Sequence, residues 1–269
     1  MSTAAAHYEV LAHNYAVESE NKIHSDEVAN QYGFKGGLVP GVADFAYMAR
    51  AVNEATGGAW TNGGNLRAKF FKPVYHGERA VARAVAADDT DELSVELSNA
   101  QGTPCAAGTA SLNSGLAPVH ADFESREIRA RDTRPAPSVD SFAAGRVLAG
   151  LQYTLNLASA HAQAQSKFVE AWPGPADQPT WHPALWLHDA NMCLRQNVAL
   201  GPWIHTGSDL HLLALPQDGM RIEMLGRVRE TYLRKGHTIT VLELGVFADT
   251  APLAFIEHTA IIALAGNPS

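Results

Sequence analysis

The sequence predicts an α+β fold in which one unit, a helix followed by an antiparallel meander, occurs twice. Three observations predict it. The segment Val39-Pro40-Gly41 leads into an apolar run over residues 42–52 that stops at Gly57-Gly58, and His182-Pro183-Ala184 leads into a run over residues 185–200 that stops at Gly201-Pro202. Entry through proline and exit at glycine mark two helices. The landmarks recur at a nearly constant distance: Pro183 minus Pro40 is 143, Leu210 minus Leu66 is 144, Gly219 minus Gly77 is 142 and Pro252 minus Pro104 is 148. Finally, the first helix is apolar nearly all round apart from Asp44 and Arg50, as suits a helix wrapped by a sheet rather than one lying on it with a wet face. A long antiparallel sheet curled around a central helix is the hotdog architecture, and two such units sharing a sheet form a double hotdog.

The remaining elements follow in order. After the first helix, extended segments are expected at residues 66–77, 80–87, 93–99 and 106–112, and after the second at 210–219, 222–228, 238–247 and 253–264, the middle two of each half alternating and rich in Val, Leu, Ile and Thr. Residues 1–115 therefore form an N-terminal repeat and 151–269 a C-terminal one. Residues 116–150, with Pro118, Pro135 and Pro137 among mixed charges, read as a linker. A second proline-rich stretch, 172–183, reads as a loop ahead of the second helix.

The 269 residues are enough to bury a core, and 46% hydrophobic with 18% charged residues excludes a collagenous, coiled-coil or wholly disordered chain. Twenty basic against 28 acidic residues give a formal charge of −8, so a nucleic-acid partner has no electrostatic support. No apolar run approaches the ~18 residues a membrane span needs, and the first ten residues lack the basic and apolar regions of a signal peptide. A cytoplasmic protein without a membrane partner is expected. The two cysteines, Cys105 and Cys193, lack metal or redox spacing and read as inert thiols. No metal and no cofactor are expected.

The chemistry-bearing residues lie ahead of the first helix. Asn21-Lys22-Ile23-His24-Ser25-Asp26, then Gly33-Phe34, Gly36-Gly37 and Leu38-Val39-Pro40-Gly41, resemble the hydratase segment of MaoC-like double-hotdog proteins, which runs D-x-N-P-[IV]-H-x-D, then G-F-x-G, then a helix entered at glycine. Phe70-Phe71-Lys72-Pro73-Val74-Tyr75-His76-Gly77-Glu78 is similar to that family's F-x-x-P-V-x-x-G-D strand and turn. The resemblance covers the first half; the second half matches as a degenerate repeat, in which nothing repeats the asparagine and histidine.

The resemblance implies a hydratase or dehydratase that adds water to, or removes it from, an enoyl thioester or related conjugated carbonyl compound, with coenzyme A as the candidate carrier. It implies His24 as the proton-handling residue, Asn21 beside it, and the Gly41 N–H as oxyanion donor. A free N–H at the positive end of a buried helix suits a developing enolate oxygen. Ser19, Gly37, Val39, Pro40, Tyr47 and, from the second repeat, His182 are the expected substrate-binding positions. The chain departs from the pattern where it matters: the family aspartate falls at Ser19, preceded by Val17 and Glu18, and Lys22 replaces the proline. Glu20 or Glu18 could supply the missing carboxylate. If the chain is helical here, Glu20 and His24 touch at i and i+4; if extended, they stand roughly 13 Å apart. The alternatives are a catalytically reduced hotdog that binds an acyl or aromatic ligand, and an acyl thioesterase using Asp44 as its acid. A homodimer is expected, with a monomer as the alternative, since the double hotdog already contains the pairing that single hotdogs obtain by dimerising.

Overall fold

In the computed structural model, which describes residues 5–87, 91–113, 115, 133–169, 172–174 and 178–266, the two repeats meet at the centre of one antiparallel sheet. The first contributes β1 (Ala5–Leu11), β2 (Asn65–Phe70), β3 (Arg79–Ala86), β4 (Glu92–Ser98) and β5 (Pro104–Ser111). The second contributes β6 (Leu151–Thr154), β7 (Ile204–Leu212), β8 (Arg221–Arg234), β9 (His237–Ala248) and β10 (Ala251–Ala263). The spatial order is β1-β3-β4-β5-β2-β7-β10-β9-β8-β6. Read outward from the centre, β2-β5-β4-β3-β1 matches β7-β10-β9-β8-β6 strand for strand, so a pseudo-twofold axis runs between β2 and β7. Leu66 pairs with Leu210 across that junction, and these two residues are each other's counterparts in the 144-residue repeat. The double hotdog is the fold.

Among the described residues, four α-helices accompany the sheet: α1 (Asp26–Gln31), α2 (Gly41–Ala55), α3 (Leu157–Phe168) and α4 (Leu185–Asn197). Helix α2 is the wrapped one. Val42, Phe45, Tyr47, Met48 and Val52 have no exposed surface, and burying each such side chain contributes about 1.5–3 kcal/mol. Helix α4 stops at Asn197 rather than residue 200, because the Asn197 amide bonds the Ala149 N–H and carbonyl and the Cys193 carbonyl, while Val198 is already extended.

The structure extends the sequence reading in several places. Strands β1 and β6, at the two ends of the sheet, and helices α1 and α3 are additional to it. Strand β7 begins at Ile204, not Leu210, and β8 runs on to Arg234 before a tight hairpin turn at Lys235-Gly236, both with positive φ. Within the expected linker, residues 116–132 lie outside the described residues. Its later part is bound along β8: Gly145 and Leu148 donate to Val228 and Gly226, and Phe142 and Leu148 are fully buried. Cys105 and Cys193 are both buried free thiols. Among the described residues, no helix is long and apolar enough to cross a membrane.

Candidate active site

A cavity of about 210 Å³ opens where the loop before α2, the end of β2 and the start of β7 converge. Both repeats build it. Asn21, His24, Leu38, Val39, Pro40, Gly41 and Asp44 come from the first, Asn191, Trp203, His205, Thr206 and Ile261 from the second, and Phe70 to Pro73 form a further edge.

His24 closes a single 3-10 turn, Lys22–His24, whose N-cap is Asn21. Asn21 itself is extended, so the helical turn that carries His24 begins at Lys22 and does not include Glu20. The ring is fixed on both sides: Nδ1 lies 2.8 Å from the Leu38 carbonyl, and Nε2 lies 3.2 Å from the Asn21 Nδ2. A carbonyl can only accept, so the proton is assigned to Nδ1 and the lone pair to Nε2. Burial pushes the imidazole down to about 4, against a smaller upward pull from the Leu38 carbonyl. His24 is therefore a neutral base at neutral pH.

Asn21 ties this base to the other repeat. Its Nδ2 donates to the Trp203 carbonyl at 2.9 Å and its Oδ1 accepts the Trp203 N–H at 3.2 Å. The paired contact fixes which end of the amide is nitrogen and aims the second Nδ2 hydrogen at His24. The His24 carbonyl is in turn held by Asn14 Nδ2 at 2.8 Å. Gly37 packs so closely on this turn that an added Cβ would stand 2.1 Å from the His24 carbonyl oxygen, and its N–H donates to Asp26 Oδ1 at 2.7 Å. Gly37 and Asp26 thus shape the loop from outside the cavity.

Helix α2 starts at the cavity. Ala43 and Asp44 donate to the Pro40 carbonyl, whereas the Gly41 and Val42 N–H groups are first-turn donors without an acceptor among the described residues. A Cβ at Gly41 would come within 3.1 Å of both the His205 Nδ1 and carbonyl oxygen and 3.2 Å of Phe70, so a side chain here would crowd this end of the helix. One turn on, Asp44 is buried and its Oδ1 has no partner. Burial, helped by the negative charge of Glu78, raises this carboxyl well above its ordinary range, which favours the protonated form of Asp44.

The other expected residues lie elsewhere. Glu20 points away from His24 and pairs with Arg195 on the surface, Oε2 to Nη2 2.9 Å with 57% of the side chain exposed. Glu20 precedes the Lys22–His24 turn, so the i, i+4 contact with His24 that a helical chain would give is not formed. Glu18 is also exposed. Ser19 donates to the Asn21 carbonyl at 3.3 Å and is not part of the cavity wall. Tyr47 is core, its hydroxyl accepting the His13 N–H. His182 is fully buried between Phe168 and Trp172 and accepts the Ala184 N–H. In the second repeat, aromatic packing fills the place that corresponds to the loop before α2. None of the cavity residues that the second repeat contributes, Asn191, Trp203, Ile204, His205, Thr206 and Ile261, is named as a site residue in the sequence reading.

No family model matches the chain, and no curated protein does. Solved structures match over nearly its whole length at low identity. A MaoC-like dehydratase superposes with a TM-score of 0.60 at 13% identity, covering 96% of this chain and 98% of the other. Rv0216 of Mycobacterium tuberculosis, described as having a double hotdog fold, gives 0.57 at 14%, covering 93% and 90%. A variant of the GphF dehydratase gives 0.55 at 14%, covering 97% and 94%. The likeness is one of fold.

Proposed function

We propose that the protein is a hydro-lyase that adds water to, or removes it from, the double bond of an acyl thioester or closely related conjugated carbonyl compound. The observation that carries this reading is the pairing, in one cavity, of a neutral buried histidine with the open N-terminus of a buried helix. Water addition needs a base for one proton and a home for the enolate charge, and the two features supply these. The thioester oxygen sits against the Gly41 N–H. A water proton passes to His24 Nε2, displacing the long contact from Asn21, as the water oxygen bonds to C3. The π pair moves onto the thioester oxygen, where the helix end stabilises it. The enolate then collapses as His24 returns a proton to C2, so the product gains one H and one OH and the enzyme is unchanged. Asp44, in its protonated form, can add an O–H donor to the same oxyanion.

The state of Asp44 also bears on the thioesterase reading. A carboxylate that is to activate water or attack a thioester must be ionised, and burial disfavours the ionised form of Asp44. Both central helices begin at proline-marked turns, and among the described residues the start of α2, not that of α4, lines this cavity, which supports the first repeat as the working one.

A panel of trans-2-enoyl and 3-hydroxyacyl thioesters, followed at the enoyl absorbance and separately for free thiol, tests the proposal. Loss of conjugation without thiol release is expected. Thiol release would identify a thioesterase instead, and saturable binding without any turnover would identify a non-catalytic binder.

A further inference from the structure

His205, one of the residues that escaped the sequence reading, stands at an irregularity of the sheet. Along β7 the pairing with β10 runs Ser208 to His258 and Gly207 to Thr259, then skips: Ala260 faces His205, leaving Thr206 as an extra residue. Strict alternation would put His205 and Ser208 on opposite faces. The bulge turns His205 onto the inner face, beside Ser208 and His258 and at the start of α2.

The three side chains form a buried row. His205 Nε2 lies 2.8 Å from Ser208 Oγ and 3.2 Å from the Gly207 carbonyl, and Ser208 Oγ lies 3.0 Å from His258 Nδ1. The two rings stack at 4.2 Å. The Gly207 carbonyl can only accept, which assigns the His205 proton to Nε2. Ser208 then receives from His205 and donates to His258. His205 Nδ1 is left as a bare lone pair, buried and without a partner, on a ring that lines the same cavity as His24. Buried polar atoms are rarely left unpaired, and this one lies against the start of α2 at the cavity, 3.1 Å from where a Cβ on Gly41 would stand.

We infer that His205 is a second catalytic residue, whose Nδ1 accepts one hydrogen of the reacting water while His24 Nε2 takes the other. This rests on the hydro-lyase reading and supplies what the chain lacks at Ser19: two acceptors are needed to hold both hydrogens of one water, and the second comes from the other repeat. No proton moves to His205. The hydrogen it holds stays on oxygen and becomes the product hydroxyl hydrogen. Ser208 and His258 are positioning residues that hold the tautomer and the ring plane. Burial keeps both rings neutral, consistent with a role as acceptor rather than cation.

The test compares wild type with His205→Gln, whose amide can still donate to Gly207 and Ser208 but offers no ring lone pair. On a thioester the wild type turns over, kcat should fall about 10²-fold, the usual loss when a reactant is misplaced, with KM little changed. An unchanged kcat would overturn the role of His205 while leaving the hydro-lyase reading intact. A wild type inert on every thioester would overturn that reading first. A second measurement needs neither turnover nor a folded variant: ring ¹⁵N shifts of the wild-type protein should show His205 Nδ1 unprotonated and moving on addition of a 3-hydroxyacyl thioester. A protonated Nδ1, or one indifferent to that ligand, would overturn the inference.

Discussion

Replacing His24 by Ala is expected to lower kcat for hydration by about 10²- to 10⁴-fold, the range over which a positioned acid–base group acts, while the fold survives. The ring's own bonds are to the Leu38 carbonyl and the Asn21 amide, and Asn21 keeps its two bonds to Trp203 without it. The loop's other ties, Asn14 to the His24 carbonyl and Gly37 to Asp26, do not involve the imidazole. Glu20→Gln, by contrast, should leave kcat unchanged, because Glu20 faces Arg195 at the surface. Steady-state kinetics of the two variants with circular dichroism as the fold control check both statements. A Glu20→Gln defect as deep as that of His24→Ala would contradict the geometry.

Acid should destabilise the protein unusually early. His24, His188, His205 and His258 are all held below the ordinary histidine range chiefly by burial, the first two to about 4 and His258 to about 3. Each is neutral when folded and protonated when unfolded once the pH falls below about 6.5. The unfolded state therefore binds more protons, and each such group removes about 1.4 kcal/mol of stability per pH unit on the way down to its folded value. Two carboxyls oppose this. Asp44, and Asp189 raised to about 7 by burial against the Tyr153 hydroxyl bond, hold protons in the folded state that the unfolded chain has lost above about pH 4. Four histidines against two carboxyls leave about two extra protons taken up on unfolding between pH 6.5 and 4. The slope is then about 2.7 kcal/mol per unit, large against a total stability of about 5–15 kcal/mol. Urea unfolding at pH 7.5, 5.5 and 4.5 should show the midpoint falling steeply across this window; a midpoint flat over it would contradict the burial of these rings.

The fold was legible because the duplication writes itself into proline and glycine spacing, and because α2 is apolar on every side. The edge strands were not. In β1 and β6 the apolar alternation is short: Tyr8 and Val10, and Leu151 and Tyr153, pack against the core but stay half-exposed, and β6 has only four residues. The first half of the site was readable as a local motif, from Asn21 to Gly41. Its second half was hidden for a physical reason: in Ile204-His205-Thr206-Gly207-Ser208-Asp209 the polar residues and the bulge break the period of two, and a bulge is fixed by pairing with β10, about 50 residues away, not by local composition. Adjacency in sequence also misled. Glu20 is four residues from His24 yet faces solvent, while Asp44, twenty residues on, shares its cavity.

The central claim, that this cavity adds water across a conjugated double bond, is tested most directly by incubating the protein with a trans-2-enoyl thioester in H₂¹⁸O and analysing the products by mass spectrometry. The reading predicts an intact 3-hydroxyacyl thioester carrying ¹⁸O at C3. Label found only in a free carboxylate, or an enoyl thioester recovered without label, would contradict it.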